Sequence, residues 1–120
     1  MMAGCVFAAT SLNAVARDVT TELSNGTLTS SVQNGREVSG NSSLYYSAVT
    51  YKKKKGGAIN VIFLMRTANN TNSSPPYLMK SGQTKGHSFG GKAVPSTCSA
   101  VGGLAEKDQG QYWAPPLNPC

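Results

Sequence analysis

Residues 58–65 (Ala-Ile-Asn-Val-Ile-Phe-Leu-Met) are the clearest pattern in this 120-residue chain, a β-branched and aromatic run that is apolar on both faces. Such a run predicts a central strand covered on each side, and it is the natural anchor of the core. Upstream, residues 44–53 alternate, with Tyr45, Val49 and Tyr51 on one face. They predict a second strand, paired with the first as a hairpin across a Lys-Gly-Gly loop. Tyr45, Ala48 and Tyr51 also stand at helical spacing, so a helix packed under the Ile59 strand is the alternative.

The start of the chain has a different pattern. Ala3, Val6, Phe7, Ala8, Ala9 and Leu12 lie in an uncharged stretch that runs into Ala14-Val15-Ala16 and then Arg17-Asp18. The small-x-small tripeptide suits a signal peptidase, so residues 1–16 are expected to be a truncated secretory signal ahead of one domain over residues 17–120. Against this, no Lys or Arg precedes the apolar run, and Ser11 and Asn13 interrupt it. The rival expectation is an amphipathic helix on Leu12, Val15, Val19 and Leu23, capped by Ser11 and stopped by Asn25-Gly26. The run is too short and too interrupted to span a membrane.

From Thr27 onward, turn residues punctuate the chain at Asn34-Gly35, Gly40-Asn41, Gly56-Gly57, Gly82, Gly86, Gly90-Gly91 and Gly102-Gly103. Residues 69–76 (Asn-Asn-Thr-Asn-Ser-Ser-Pro-Pro) read as a surface loop, because short polar side chains compete for backbone hydrogen bonds and the two prolines oppose regular pairing. Asn-x-Ser/Thr patterns occur at Asn25, Asn41, Asn69 and Asn72. The intervals between turns leave no room for several helices. The expected fold is therefore mainly β, a small β-sandwich or an OB-like barrel with or without one short helix.

Composition narrows the setting. Only 13% of residues are charged, while Ser, Thr, Asn and Gly abound, as in exported β proteins. Removal of residues 1–16 would take Cys5 with it and leave Cys98 and Cys120 to form one disulfide in a secreted or periplasmic domain. That bridge would enclose Glu106, Asp108 and the Tyr112-Trp113-Ala114-Pro115-Pro116 segment. Trp113 is expected to close the core beneath this loop, with Tyr112 and Trp113 together as a candidate stacking surface. The net charge is +6, and Lys52, Lys53, Lys54 and Lys55 supply much of it. Adjacent lysines repel one another and are expected to project into solvent, as a solvated loop or as a handle for an anionic surface. Nucleic acid is not an expected partner, since no recognisable module accompanies the lysines.

Little here points to catalysis. Gly86-His87-Ser88-Phe89-Gly90-Gly91 fits G-x-S-x-G and resembles the nucleophile elbow of α/β-hydrolases, which implies Ser88 as nucleophile. A triad needs a separate histidine, however, and His87 is the only one. The segment before the motif, residues 80–85, is too polar for the buried strand an elbow requires. One histidine and scattered acids give no metal site, and no cofactor motif is present. Glu106 and Asp108 flank Lys107 in what reads as an exposed charged turn.

Two further resemblances concern architecture. An apolar strand, polar strands and a terminal Cys98-to-Cys120 loop carrying Tyr112 to Pro116 resemble the disulfide-bounded region of type IV pilins, without their long N-terminal helix. Leu44-Tyr45, Ala48 and Tyr51, followed by Gly56, Ile59 and Val61, are similar to the helix-then-strand step of AB5-toxin B subunits, which implies an OB-like barrel and oligomers. The expected function is non-enzymatic binding of a surface glycan, another protein or copies of itself. A pilus subunit and a Ser88 hydrolase stand as alternatives.

Overall fold

The computed structural model describes residues 17–120, which form two antiparallel five-stranded sheets packed face to face. In chain order the elements are β1 (Arg17–Leu23), β2 (Gly26–Asn34), α1 (Gly35–Val38), β3 (Leu44–Lys53), β4 (Ile59–Arg66), β5 (Thr71–Ser73), β6 (Tyr77–Met79), β7 (Thr84–Ser88), β8 (Lys92–Ala93), β9 (Val101–Glu106) and β10 (Gly110–Trp113). The first sheet runs β1-β2-β3-β7, with β8 also on β3, and the second runs β10-β9-β4-β5, with β6 also on β4. The mainly β expectation holds, as two separate sheets rather than an OB-like barrel. The signal-peptide expectation and Cys5 lie outside the described residues, whereas Val19 and Leu23 sit on strand β1 and not on a helix.

The pattern in β2 and β3 produces this arrangement directly. Alternate residues of β2 are buried from Gly26 to Asn34, and β3 follows suit with Tyr45, Ser47, Val49, Tyr51 and Lys53 inward. A pleated strand with one apolar face must cover that face, so the first sheet lies on the second. Leu28, Val32, Tyr45, Val49 and Tyr51 meet Val61, Phe63, Met65, Met79 and Leu104 in one core. Each such side chain contributes about 1.5–3 kcal/mol of transfer free energy. Strand β4 is central, between β9 and the β5/β6 edge, as expected, but it is not covered on each side: the outer face bearing Asn60, Ile62, Leu64 and Arg66 has no layer over it among the described residues. The helix alternative for Tyr45, Ala48 and Tyr51 is overruled, since all three lie in β3.

Three expectations need correction. Strands β3 and β4 are not a hairpin: residues 54–58 carry the chain from one sheet to the other, with Gly56 at φ 90°. The backbone that would have closed a hairpin is engaged elsewhere, Lys53 N–H donating to the Gln83 carbonyl (2.9 Å) and Lys54 N–H to that of Asn25 (2.8 Å). Gly86 and Gly102-Gly103 are strand residues, in β7 and β9. At Gly102 a Cβ would overlap the Ser30 side chain, so the glycine is there for close approach of the sheets and not for a turn. Residues 69–76 also contain β5, which pairs with Leu64, Met65 and Arg66 ahead of the prolines.

At the C-terminal end the expected disulfide joins Cys98 and Cys120, with Cα atoms 5.4 Å apart. Ala100 and Leu117 exchange two backbone hydrogen bonds of 2.9 and 2.8 Å inside the loop. Asn34 ties the tail to the first sheet: its Oδ1 accepts from Arg36 N–H at the start of α1 (2.9 Å), and its Nδ2 donates to the Pro119 carbonyl (3.0 Å).

Burial raises the Tyr45 and Tyr51 phenols above their usual value near 10, assisted at Tyr51 by the Glu106 carboxylate and by Tyr112. In the unfolded chain both ionise from about pH 10. Their contribution to stability is therefore complete below that pH and is lost as pH rises through the higher folded values. The melting temperature should fall steadily above about pH 10, and Tyr51→Phe should flatten that fall. An identical alkaline slope in the variant would show that Tyr51 does not carry the effect.

Candidate functional site

The quartet Lys52, Lys53, Lys54 and Lys55 straddles the end of β3, and the expectation that all four project into solvent is corrected at Lys53. Strand alternation places it on the inner face with Tyr45, Val49 and Tyr51, 1% exposed, its Nζ donating to the Lys55 carbonyl (2.8 Å). Lys52, Lys54 and Lys55 are exposed, and Lys54 Nζ lies 3.5 Å from a Glu22 carboxylate oxygen.

The fold adds further lysines to this end. Lys80 belongs to the β6–β7 turn, which is fastened to the quartet by Gly82 N–H donating to the Lys53 carbonyl (2.7 Å) and Ser81 Oγ donating to that of Lys54 (2.9 Å). Lys85 pairs with Tyr51 and donates through Nζ to the Leu78 carbonyl (2.9 Å), while Lys107 N–H donates to the Asn60 carbonyl (3.1 Å) in the β9–β10 turn. Seven of the eight lysines thus stand at one end of the sandwich, with Glu22, Glu106 and Asp108 as the carboxylates there. Arg17, Arg36, Arg66 and Lys92 lie toward the other end, where β1 pairs with Val32, β8 with Tyr45 and β4 with Val101. Sequence reading missed Lys80, Lys85 and Lys107, because isolated lysines in polar stretches carry no local signal and only the topology collects them.

A recess of about 120 Å³ opens within this end, lined by Asn25, Lys53, Gly57, Glu106 and Gln109. Glu106 is 7% exposed, which corrects its reading as part of an exposed charged turn: the inward face of β9 ends on it, and only Asp108 occupies the turn itself.

The solvent faces of the two sheets differ sharply in character. The first carries Thr20, Thr27, Thr29, Ser31, Thr50, Thr84 and Ser88, hydroxyls at positions that alternate with the core. A shallow groove of about 270 Å³ on it touches Asp18, Ser31, Gln33, Tyr46 and Ser88. The second carries Ile62 beside Ala105, Leu64 beside Gly103 and Trp113, and Arg66 beside Val101, with the exposed polar residues Asn60, Thr71, Ser73 and Gln111 around them. Leu64 is buried although it points away from the core, and Leu78 is 48% exposed. A groove of about 600 Å³ runs along this face between Ile62, Pro76, Leu78, Ala105 and Lys107.

Trp113 does not close the core as expected. It lies half-buried over Gly103, where an added Cβ would come within 2.5 Å of the indole, and the Arg66 guanidinium sits 4.1 Å from its ring centre. A guanidinium over an indole face is a cation–π contact that holds both groups in place. Tyr112 points the other way, opposite Leu104, and its hydroxyl donates to the Gln109 carbonyl (3.4 Å). Consecutive strand residues face opposite sides, so Tyr112 and Trp113 cannot form one stacking platform.

Strand geometry also separates Ser88 from His87. Ser88 stands on the solvent face opposite Ala48, whereas His87 turns inward, its Nδ1 3.0 Å from the Tyr77 hydroxyl and its ring edge-on to Phe89 at 4.9 Å. A nucleophile elbow raises its serine on a strand-to-helix turn, but here Ser88 ends a strand that leads into irregular chain. No cluster of His, Cys, Asp and Glu able to hold a metal occurs among the described residues. No protein-family model, curated protein or solved structure matches this chain.

Proposed function

We propose that this protein is a small non-enzymatic binding protein of an oxidising compartment, secreted or periplasmic, that works as a self-associating unit joined through the outer face of its second sheet. The observation that carries this reading is the contrast between the two outer faces. A solvated antiparallel sheet shows polar residues on its open side, as the first sheet does. The second shows Ile62, Leu64, Leu78, Ala105, Val101 and an Arg66-backed Trp113, bordered by the polar Asn60, Thr71, Ser73 and Gln111. Aromatic and arginine side chains amid aliphatic surface are the composition of interface centres.

A second copy of the chain suits this surface. Arg66 is the one charged residue among its paired positions, so the face can lie against itself without opposing like charges at many points. The disulfide supports the oxidising compartment. A structural subunit of a surface assembly is a second reading, supported by β1, whose seven residues form an open sheet edge among the described residues and could template strand addition.

Sedimentation of the purified chain tests both. A discrete dimer that Leu78→Asp and Trp113→Ala convert to monomer, with melting temperatures close to that of the parent, is the expected result. Open-ended polymers insensitive to those changes would favour the subunit reading. A monomer at every concentration would refute self-association.

A further inference from the structure

We propose that the lysine end of the sandwich is a binding site for an acidic polysaccharide, a linear chain bearing carboxylate or sulfate groups. The inference goes beyond self-association and rests on different residues. Three separate segments converge there: the β3 end with Lys52, Lys54 and Lys55, the β6–β7 turn and start of β7 with Lys80 and Lys85, and the β9–β10 turn with Lys107. They are held by the backbone hydrogen bonds already described, so the points from which the lysines project are fixed relative to one another, unlike those on a mobile tail. Lys53 is excluded from direct contact, since its ammonium is buried and directed at the Lys55 carbonyl. It braces the loop that presents Lys54 and Lys55.

The surroundings of the lysines separate this ligand from other polyanions. Binding of single-stranded nucleic acid relies on exposed aromatic rings that stack bases, and none at this end is fully exposed: Tyr51 is buried and Tyr112 is half-buried on the inward register of β10. Anchoring in a bilayer would call for large apolar side chains at the tip, where Gly56, Gly57 and Ala58 stand instead. Lysines act as flexible point charges and suit the spaced anionic groups of a sugar chain. The neighbouring amides of Asn25 and Gln109 supply donors and acceptors for its hydroxyls.

The test compares two charge-matched triple variants of the full chain. One changes Lys52, Lys54 and Lys55 to Ser, and the other changes Arg17, Arg36 and Lys92 to Ser. Affinity is measured against a sulfated glycosaminoglycan and an unsulfated polyuronate across a salt series, with single-stranded DNA and anionic phospholipid vesicles in parallel. The first variant should lose about tenfold or more on at least one polysaccharide and show a shallower dependence of log affinity on log salt. The second should change by less than about twofold. Equal losses in both variants would show a net-charge effect and overturn the site. Tighter binding to DNA or vesicles than to either polysaccharide would overturn the ligand assignment, and no polysaccharide binding at low salt would refute the proposal outright. Repeating the series with the Trp113→Ala chain, altered away from the lysines, keeps a failure of self-association distinct from a failure of this site.

Discussion

Replacing Phe63 by Ala is expected to cost about 3–5 kcal/mol, a large part of the roughly 5–15 kcal/mol that holds a domain of this size together. Phe63 is fully buried on the inner face of the central strand β4, level with Leu104 of β9. Its ring stands edge-on to Tyr77 at 5.3 Å, and Tyr77 continues to His87 and Phe89, the aromatic chain that joins the β6 edge of the second sheet to the β7 edge of the first. Truncation leaves a cavity at the root of that chain, and well-packed surroundings close such a cavity only in part. Urea unfolding would show it as a lowered midpoint with an unchanged slope. A loss below about 1 kcal/mol would mean that the two sheets do not depend on this contact.

Breaking the Cys98–Cys120 bridge should cost roughly 3 kcal/mol through the freedom it returns to the unfolded chain, and lower the melting temperature by roughly 10–20 °C. The bridged residues are 22 apart, and the segment between them holds β9 and β10, hence Glu106 and Trp113. Two measurements separate the causes. Reduction of the native protein leaves every side chain in place. The Cys98→Ala, Cys120→Ala variant adds whatever the altered side chain costs at Cys98, whose φ of 53° lies in the left-handed region. Equal losses in the two experiments would assign the whole effect to the cross-link. No loss in either would show that the Ala100–Leu117 pairing and the Asn34–Pro119 bond hold the tail without it.

Much of the fold was legible because strand periodicity is a local property. Tyr45, Val49 and Tyr51 share a face, and the run around Ile62 is a central strand, in keeping with their patterns. The step from β3 to β4 was not legible, since a hairpin and a sheet-to-sheet crossing need the same two patterns and the same glycine between them. Glycine misled at Gly102 and Gly103 for a related reason. A turn and a close approach both call for the missing Cβ, and only Ser30 and Trp113 reveal which one applies.

The candidate surfaces were harder to read. Lys53 carries charge, yet the alternation that buries Tyr51 continues through it, and the outward charge pattern alone concealed that. The side on which Trp113 stands depends on the register of β10 against β9, which nothing local specifies. The distribution of lysines emerges only when three segments remote in sequence are folded together.

That distribution also sets how the molecule behaves toward reagents. With Lys53 buried, succinimide esters and other amine-seeking couplers will find six of the seven accessible lysine side chains in a single hemisphere, with only Lys92 outside it. A sensor chip loaded by ordinary amine coupling would therefore hold the protein head down, its arginine-bearing pole toward the flow and its lysine-bearing pole against the matrix. A null result obtained that way would report the immobilisation chemistry rather than the protein.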